Sequence, residues 1–400
     1  MKSTATAAAM DTVAIVMGTR PEAVKLAPLV HELRRQGRFQ PVVVSTGQHR
    51  EMLRQALKLF DLVPDIDLDV MCQNQTLYDV TCRTLERMRP VLLKLRPSWV
   101  VVQGDTTTAF AAALAAFYEK IPVAHVEAGL RSGDPLRPFP EEINRRLVDQ
   151  LASLLFAPTQ MSHDILLDEG VSPRRVFVTG NTVVDALLFA GDVVKKNPPR
   201  IEGFDLDRLE GRKLILVTAH RRESFGAGMR SICEALVTIV ERCPDAHIVY
   251  PVHRNPNVRG PVEELLSTND RITLLPPVDY RQFVYLMQKA TLILSDSGGV
   301  QEEAPSLCKP LLVMRDVTER PEGIEAGVAR LVGTEKERIV DETVELLTNE
   351  LAYRRMAKGA NPYGDGQASA RIARLLAGKT VRDFGTAQAD DAIATQTLRG

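Results

Sequence analysis

Short, unbroken apolar runs alternate with helix-length stretches along this chain. Val13–Met17, Gln40–Ser45, Trp99–Gln103, Val123–Val126, Leu154–Ala157 and Val176–Thr179 read as strands, and Glu22–Arg35 and Leu77–Leu95 as helices between them. The runs do not alternate polar with apolar. Strands covered on both faces look like this, as they do in a parallel sheet whose crossovers are helices. The order predicts a doubly wound α/β sheet. Near Lys195 the texture changes, because Lys195-Lys196-Asn197-Pro198-Pro199-Arg200 is polar and proline-rich and the chain stays charged to Arg212. The rhythm restarts with Leu214–Thr218, His247–Tyr250, Ile272–Leu275, Leu292–Leu294 and Leu311–Met314, which predicts a second Rossmann-like domain. The expected organisation is a flexible leader over 1–10, a first domain over 11–195, a linker over 196–210 and a second domain over 211–365. A terminal helix over 366–378 and a frayed tail over 379–400 complete it. The pattern leaves open whether that helix stays on the second domain or packs back on the first. Two such domains facing across a cleft would hold ligands at the carboxyl ends of both sheets.

Composition narrows the function classes. At 400 residues the chain is too long for one ordinary core, and 44% apolar with 25% charged residues fits a soluble globular protein. A net charge of −1 gives no bulk attraction to nucleic acid or to an anionic membrane. The five cysteines, Cys72, Cys82, Cys233, Cys243 and Cys308, are scattered and odd in number. They suit a reducing compartment rather than a disulfide framework. With no CxxC pair, a structural zinc site is not expected. The first ten residues lack the apolar core of a signal peptide. No apolar run approaches the ~18 residues of a membrane span.

The chemistry-bearing residues gather where strands end. Ser295-Asp296-Ser297-Gly298-Gly299-Val300-Gln301-Glu302-Glu303 reads as a strand end, a glycine turn and an open helix N-terminus, a place for an anion such as a diphosphate. Gly18-Thr19-Arg20-Pro21-Glu22 follows the first strand, with Pro21 suited to the first helical position. Arg20 and Lys25 lie about a turn apart, where two cations could hold phosphate oxygens or developing negative charge. A single glycine there is no nicotinamide fingerprint. In Gln103-Gly104-Asp105-Thr106-Thr107-Thr108, Asp105 is placed either to cap the following helix or to act in catalysis. The third element is His125-Val126-Glu127-Ala128-Gly129-Leu130-Arg131, followed by Asp134 and by Pro140-Glu141-Glu142-Ile143-Asn144-Arg145-Arg146. Strand periodicity puts His125 and Glu127 on one face. Such a density of charge entering a core needs partners, so the group is either catalytic or a structural ion-pair network. A metal site would need a third clustered ligand, and none is evident. In the second half, Thr218-Ala219-His220-Arg221-Arg222-Glu223 places His220 as a proton carrier and Arg221 as a partner for phosphate or carboxylate. His253, in Pro251-Val252-His253-Arg254, either lines the same region or caps the next helix. Arg315 and Thr318-Glu319-Arg320-Pro321-Glu322-Gly323 form another charged loop.

Taken in order, GTRPE, QGDTTT, HVEAGLR, FPEEINRR, TAHRRE, SDSGGVQEEAP and TERPEG resemble the non-hydrolysing UDP-N-acetylglucosamine 2-epimerase family from about residue 12 to about residue 375. The resemblance implies two Rossmann-like domains in the glycosyltransferase-B arrangement, a cytoplasmic homodimer, no cofactor and no catalytic metal. It implies interconversion of UDP-GlcNAc and UDP-ManNAc by elimination of UDP and re-addition. It assigns Ser297, Gly298 and Gly299 to phosphate and Glu303 to the ribose hydroxyls, with Arg20 and His220 also meeting the diphosphate. Lys25 would stabilise charge near UDP, Arg320 would reach the sugar, and Tyr280 and Phe283 would lie near the nucleotide. Asp105, Glu127 and Glu141 would be the acid–base groups with His220 assisting. Asp105 is favoured as the base for UDP-GlcNAc. Gln48, His49, Arg131 and Arg254 would be candidate contacts for a second, activating substrate molecule.

Three other functions share parts of this pattern. A retaining nucleotide-sugar glycosyltransferase would need an acceptor pocket, and no basic amphipathic N-terminal segment for membrane docking is evident. A hydrolysing epimerase would release free ManNAc. A non-catalytic UDP-sugar sensor would not need Asp105, Glu127, Glu141 and His220 together.

Overall fold

The computed structural model describes residues 10–47, 50–72, 74–205, 209 and 211–385. It divides into two compact units, one made of residues up to Asp185 together with those from Gly364 onward, the other of Ala186–Tyr363.

The first unit is built on seven strands: β1 (Asp11–Met17), β2 (Phe39–Ser45), β3 (Ile66–Asp67), β4 (Trp99–Gln103), β5 (Val123–Val126), β6 (Leu154–Ala157) and β7 (Val176–Val178). They pair in the order β3-β2-β1-β4-β5-β6-β7, all parallel. The second unit repeats the plan with six: β8 (Lys213–Thr218), β9 (Ala246–Pro251), β10 (Ile272–Leu275), β11 (Leu292–Ser295), β12 (Leu311–Val313) and β13 (Ala329–Leu331). Their order is β10-β9-β8-β11-β12-β13, again parallel. Both units are Rossmann-like. The apolar runs become buried strands because helices cover them: Val13 to Met17 are almost wholly inaccessible, as are Val100 to Val102 and Leu292 to Leu294.

Local signals start and stop the helices that frame the site. Arg20–Gln36 begins at Thr19, whose hydroxyl accepts from the Glu22 amide while the Glu22 carboxylate accepts from the Thr19 amide. Pro21 is the second helical residue rather than the first, since Arg20 already has helical backbone. Gly37, with φ +67, ends the helix in the left-handed region. The helix Ala368–Leu376 lies in the first unit, where the Asp185 carboxylate accepts from the Ala368 and Ser369 amides at 3.2 and 2.8 Å. Among the described residues no helix is long and apolar enough to cross a membrane.

Candidate active site

In the first sheet the strand order reverses between β1 and β4, the place where such sheets open a crevice for ligands. The chain leaving β1 turns at Gly18. A Cβ there would stand 2.3 Å from Thr46 Oγ1, so only glycine fits. The buried Glu22 carboxylate gathers this turn, accepting from the Gly18 amide, the Thr19 amide and hydroxyl, and the Thr106 hydroxyl. Burial still pushes the Glu22 carboxyl above its ordinary value, against those donors. Arg20 is exposed on the first helical turn.

Lys25, one turn further on, places Nζ 2.6 Å from both Glu127 oxygens, with only 14% and 5% of the two side chains exposed. The Gln103 amide, at the end of β4, also donates to Glu127. Glu127 follows β5 with φ +66, a backbone that residues with a Cβ seldom adopt. The expected strand alternation of His125 with Glu127 therefore stops at Val126. His125 turns to Asp149 and the Gly104 oxygen, while Glu127 turns to Lys25 and Gln103.

Asp105 is not a helix cap. Thr106 caps the helix Thr107–Tyr118, its hydroxyl accepting from the Ala109 amide at 3.0 Å. The Asp105 carboxylate is free for another partner and pairs with Arg145, while its backbone oxygen accepts from the Asn144 side chain at 3.0 Å. Asn144 and Arg145 belong to the helix Glu141–Leu151. Glu141 opens that helix, half-buried. Asp105 and Glu127 thus follow the adjacent strands β4 and β5, and Glu141 opens the helix whose Asn144 and Arg145 hold Asp105. Arg131 is engaged elsewhere, bonded to the buried Asp149 and to Glu169. Gln48 and His49 lie outside the described residues.

The second sheet reverses between β8 and β11. After β11, Ser297 sits at the N-cap of the helix Gly298–Glu303 without a side-chain capping bond. The Arg320 guanidinium lies against this helix start: a Cβ on Gly298 would be 2.8 Å from its Cζ. Arg320 Nε donates to Glu302 Oε1 at 2.8 Å, and Glu303 accepts from the Tyr280 hydroxyl at 2.7 Å. The buried Asp296 ties the two turns together, accepting from the His220 and Arg221 amides at 2.6 and 2.7 Å. The His220 ring stacks on His253, with centroids 5.4 Å apart. Burial holds the His220 imidazole below its ordinary value; Asp296 opposes this, and His253 and Arg221 reinforce it. His253 does not cap the next helix. Asn255 caps it, accepting from the Asn257 amide. The Arg221 Nε is buried with no hydrogen-bond partner among the described residues. Arg254 lines a pocket of about 440 Å³ with Val252, His253, Pro276 and Pro277.

Gln103, Asn144, Glu22 and Asp296 are the residues that sequence reasoning passed over. All four act by holding a loop or a charged group in place. The available signal for Asp296 was its position, an acidic residue closing an apolar strand just before the small residues of the turn. Among the described residues, no three His, Cys, Asp or Glu side chains cluster to hold a metal ion.

A family model described as UDP-N-acetylglucosamine 2-epimerase matches residues 31–377. The UDP-N-acetylglucosamine 2-epimerase of Escherichia coli K12 is 53% identical over 371 residues, spanning 90% of this chain and 97% of that protein. A crystal structure of UDP-GlcNAc 2-epimerase from Neisseria meningitidis bound to UDP-GlcNAc superposes with a TM-score of 0.83 at 46% identity, covering 92% of this chain and all of that one. A crystal structure of a putative UDP-N-acetylglucosamine 2-epimerase from Listeria monocytogenes gives 0.87 at 44% identity, over 94% of this chain and 100% of that one. With its motifs, its two sheets and these relatives in agreement, the chain belongs to the UDP-N-acetylglucosamine 2-epimerase family.

Proposed function

We propose that this protein interconverts UDP-GlcNAc and UDP-ManNAc without net hydrolysis, by eliminating UDP and adding it back. The reading is supported by Asp105 and Glu127 following adjacent strands, Glu127 paired with Lys25, and Glu141 opening the helix whose Arg145 pairs with Asp105. The chemistry calls for such a set. A sugar C2–H has no adjacent carbonyl and is too weakly acidic to leave and return alone. Departure of UDP from C1 builds oxocarbenium character and makes the C2 proton labile. Loss of both leaves 2-acetamidoglucal and UDP. Return of a proton to the other face of C2, followed by addition of UDP at C1, gives the epimer. Each face needs its own acid–base group at hydrogen-bond distance.

In this reading Asp105 takes the C2 proton of UDP-GlcNAc, and Glu127 and Glu141 serve the other proton transfers. Lys25 and Arg20 offset negative charge on the departing UDP. On the second unit, Ser297, Gly298 and Gly299 receive the diphosphate, with His220 and Arg221 beside it. Glu303 meets the ribose, and Arg320 reaches toward the sugar. A neutral His220, favoured by its surroundings, is suited to donate a hydrogen bond or carry a proton near pH 7.

We infer a homodimer as the working assembly. Leu136, Phe139, Ile143 and Leu147 expose a run of apolar surface on the first unit, and Ile143 and Leu147 are one helical turn apart. Light scattering on the purified protein reads the assembly directly, and a monomer at micromolar concentration would exclude it. The five free cysteines suit a reducing compartment such as the cytoplasm.

Incubation with UDP-GlcNAc in heavy water, followed by NMR, tests the activity. UDP-ManNAc carrying deuterium at C2 is the expected product. Free ManNAc would indicate hydrolysis, and unchanged substrate would leave a transferase or a sensor.

A further inference from the structure

Behind the three carboxylates lies a buried group that the reaction scheme does not use. His125 sits on β5, two residues before Glu127, with its side chain wholly inaccessible. Its Nδ1 is 2.7 Å from Asp149 Oδ1, and its Nε2 is 2.8 Å from the Gly104 backbone oxygen. A carbonyl oxygen only accepts, so Nε2 carries a hydrogen and donates it. Nδ1 then shares a proton with the Asp149 carboxylate, whose other oxygen accepts from Arg131 at 2.7 Å. Both ends of the imidazole are fixed, and the acceptor at the far end is itself held.

The two anchors lie on the elements that carry the acid–base groups. Gly104, with φ +69, donates its amide to the Val126 oxygen at 3.0 Å and accepts from His125 at its own carbonyl. Consecutive residues of β5 therefore grip the turn that presents Asp105 from both sides of one residue. Asp149 lies on the helix Glu141–Leu151, which begins with Glu141 and supplies Asn144 and Arg145 to Asp105. One imidazole thus joins the Asp105 turn, the strand that leads to Glu127 and the helix opened by Glu141.

We propose that His125 is a positioning residue for the epimerisation, setting the mutual placement of Asp105, Glu127 and Glu141 through Gly104 and Asp149 without touching the sugar. The proposal rests on the function given above and adds to it. An apolar side chain at this position could fill the space but would leave the Gly104 oxygen and Asp149 Oδ1 without a donor. Misplacement of reacting groups by ~1 Å is enough to cost ~100-fold in rate.

Three variants test it. In His125→Gln the amide nitrogen reaches toward the position of Nε2 and retains a donor for the Gly104 oxygen. In His125→Asn the shorter amide lies near the position of Nδ1 and serves only the Asp149 side. His125→Leu serves neither. Wild type and variants are compared by thermal melting, by kcat and KM for UDP-GlcNAc, and by deuterium uptake at C2. The expected result is a kcat reduced ~100-fold in His125→Leu with KM within ~3-fold of wild type, and a ~10-fold recovery in His125→Gln over both other variants. A purely structural role would instead make activity follow melting temperature, whichever donor is kept. Normal kcat in a folded His125→Leu protein overturns the proposal. If His125→Leu does not fold, equal kcat in His125→Gln and His125→Asn overturns it. Wild type is measured first: no UDP-ManNAc and no C2 deuterium ends the functional reading and this proposal together, whereas an active wild type with indifferent variants ends this proposal alone.

Discussion

Gly298→Ala perturbs the contact between the glycine turn and Arg320. The added Cβ would lie 2.8 Å from Arg320 Cζ and Nη1 and 3.2 Å from Nη2, so the guanidinium must retreat by about 0.6 Å to regain ordinary contact. Arg320 is not free to swing, because its Nε donates to the nearly inaccessible Glu302 carboxylate at 2.8 Å. A retreat of that size stretches the bond past good geometry. A hydrogen bond to a charged group contributes ~1.5–3 kcal/mol, and alanine returns up to ~1 kcal/mol of helix propensity. The net loss of stability should therefore be modest, ~0.5–2 kcal/mol. The loss in ligand binding should be larger relative to its baseline. If Arg320 makes one charge-assisted contact to the UDP-sugar, displacing it weakens binding by about 1.5–3 kcal/mol, or ~10–150-fold. Titration calorimetry with UDP-GlcNAc, or KM under steady state, reads this directly, and a double-mutant cycle with Arg320→Ala supplies the control. Both single variants should lose a similar amount, and the double variant should be little worse than either. Additive losses, or a Gly298→Ala protein that binds normally, would refute the coupling.

Asp105→Asn and Glu141→Gln should each lower turnover by more than ~100-fold, and a near-normal rate in either removes that residue from the acid–base set. His220 titrates below its ordinary value of 6.5, so the unfolded chain takes up its proton first as pH falls. Its contribution to stability is therefore present above pH 6.5 and is lost as pH falls toward the folded-state value; urea melts across that range should show a shallower slope in His220→Asn. Asp185→Ala removes the acceptor for the Ala368 and Ser369 amides and should cost ~0.5–2 kcal/mol, seen as faster amide exchange over 368–376 than over β1.

The strands were legible because burial on both faces removes polar residues from them, and apolar runs such as Trp99–Gln103 and Val123–Val126 have the same bounds in the structure. The edge strands β3 and β13 carried no such signal: Ile66–Asp67 is two residues long, and Ala329–Leu331 has an arginine at its centre. The clustering of charge at strand ends was also legible, because ionised groups entering a core are conspicuous. The division of labour among those charges was not. Asp105 looked like a cap because an acidic residue before a helix usually is one, yet the next hydroxyl, on Thr106, took the role. The Glu127 backbone departs from strand alternation at the residue where alternation was invoked. The Lys25–Glu127 and His125–Asp149 pairs span 102 and 24 residues, separations that only the folded sheet brings together.

The first unit is discontinuous in the chain: Asp185 ends its main part, and the helix it caps comes only at Ala368. During synthesis, the whole second unit must be added before this last piece exists. The flank of Arg20–Gln36 that packs with the terminal helix stays uncovered for that interval. At ~5–20 residues per second, adding the intervening stretch takes roughly ten to forty seconds. A chain truncated before Ala368 should therefore present that flank to holdase chaperones, and the full-length chain released from the ribosome should not.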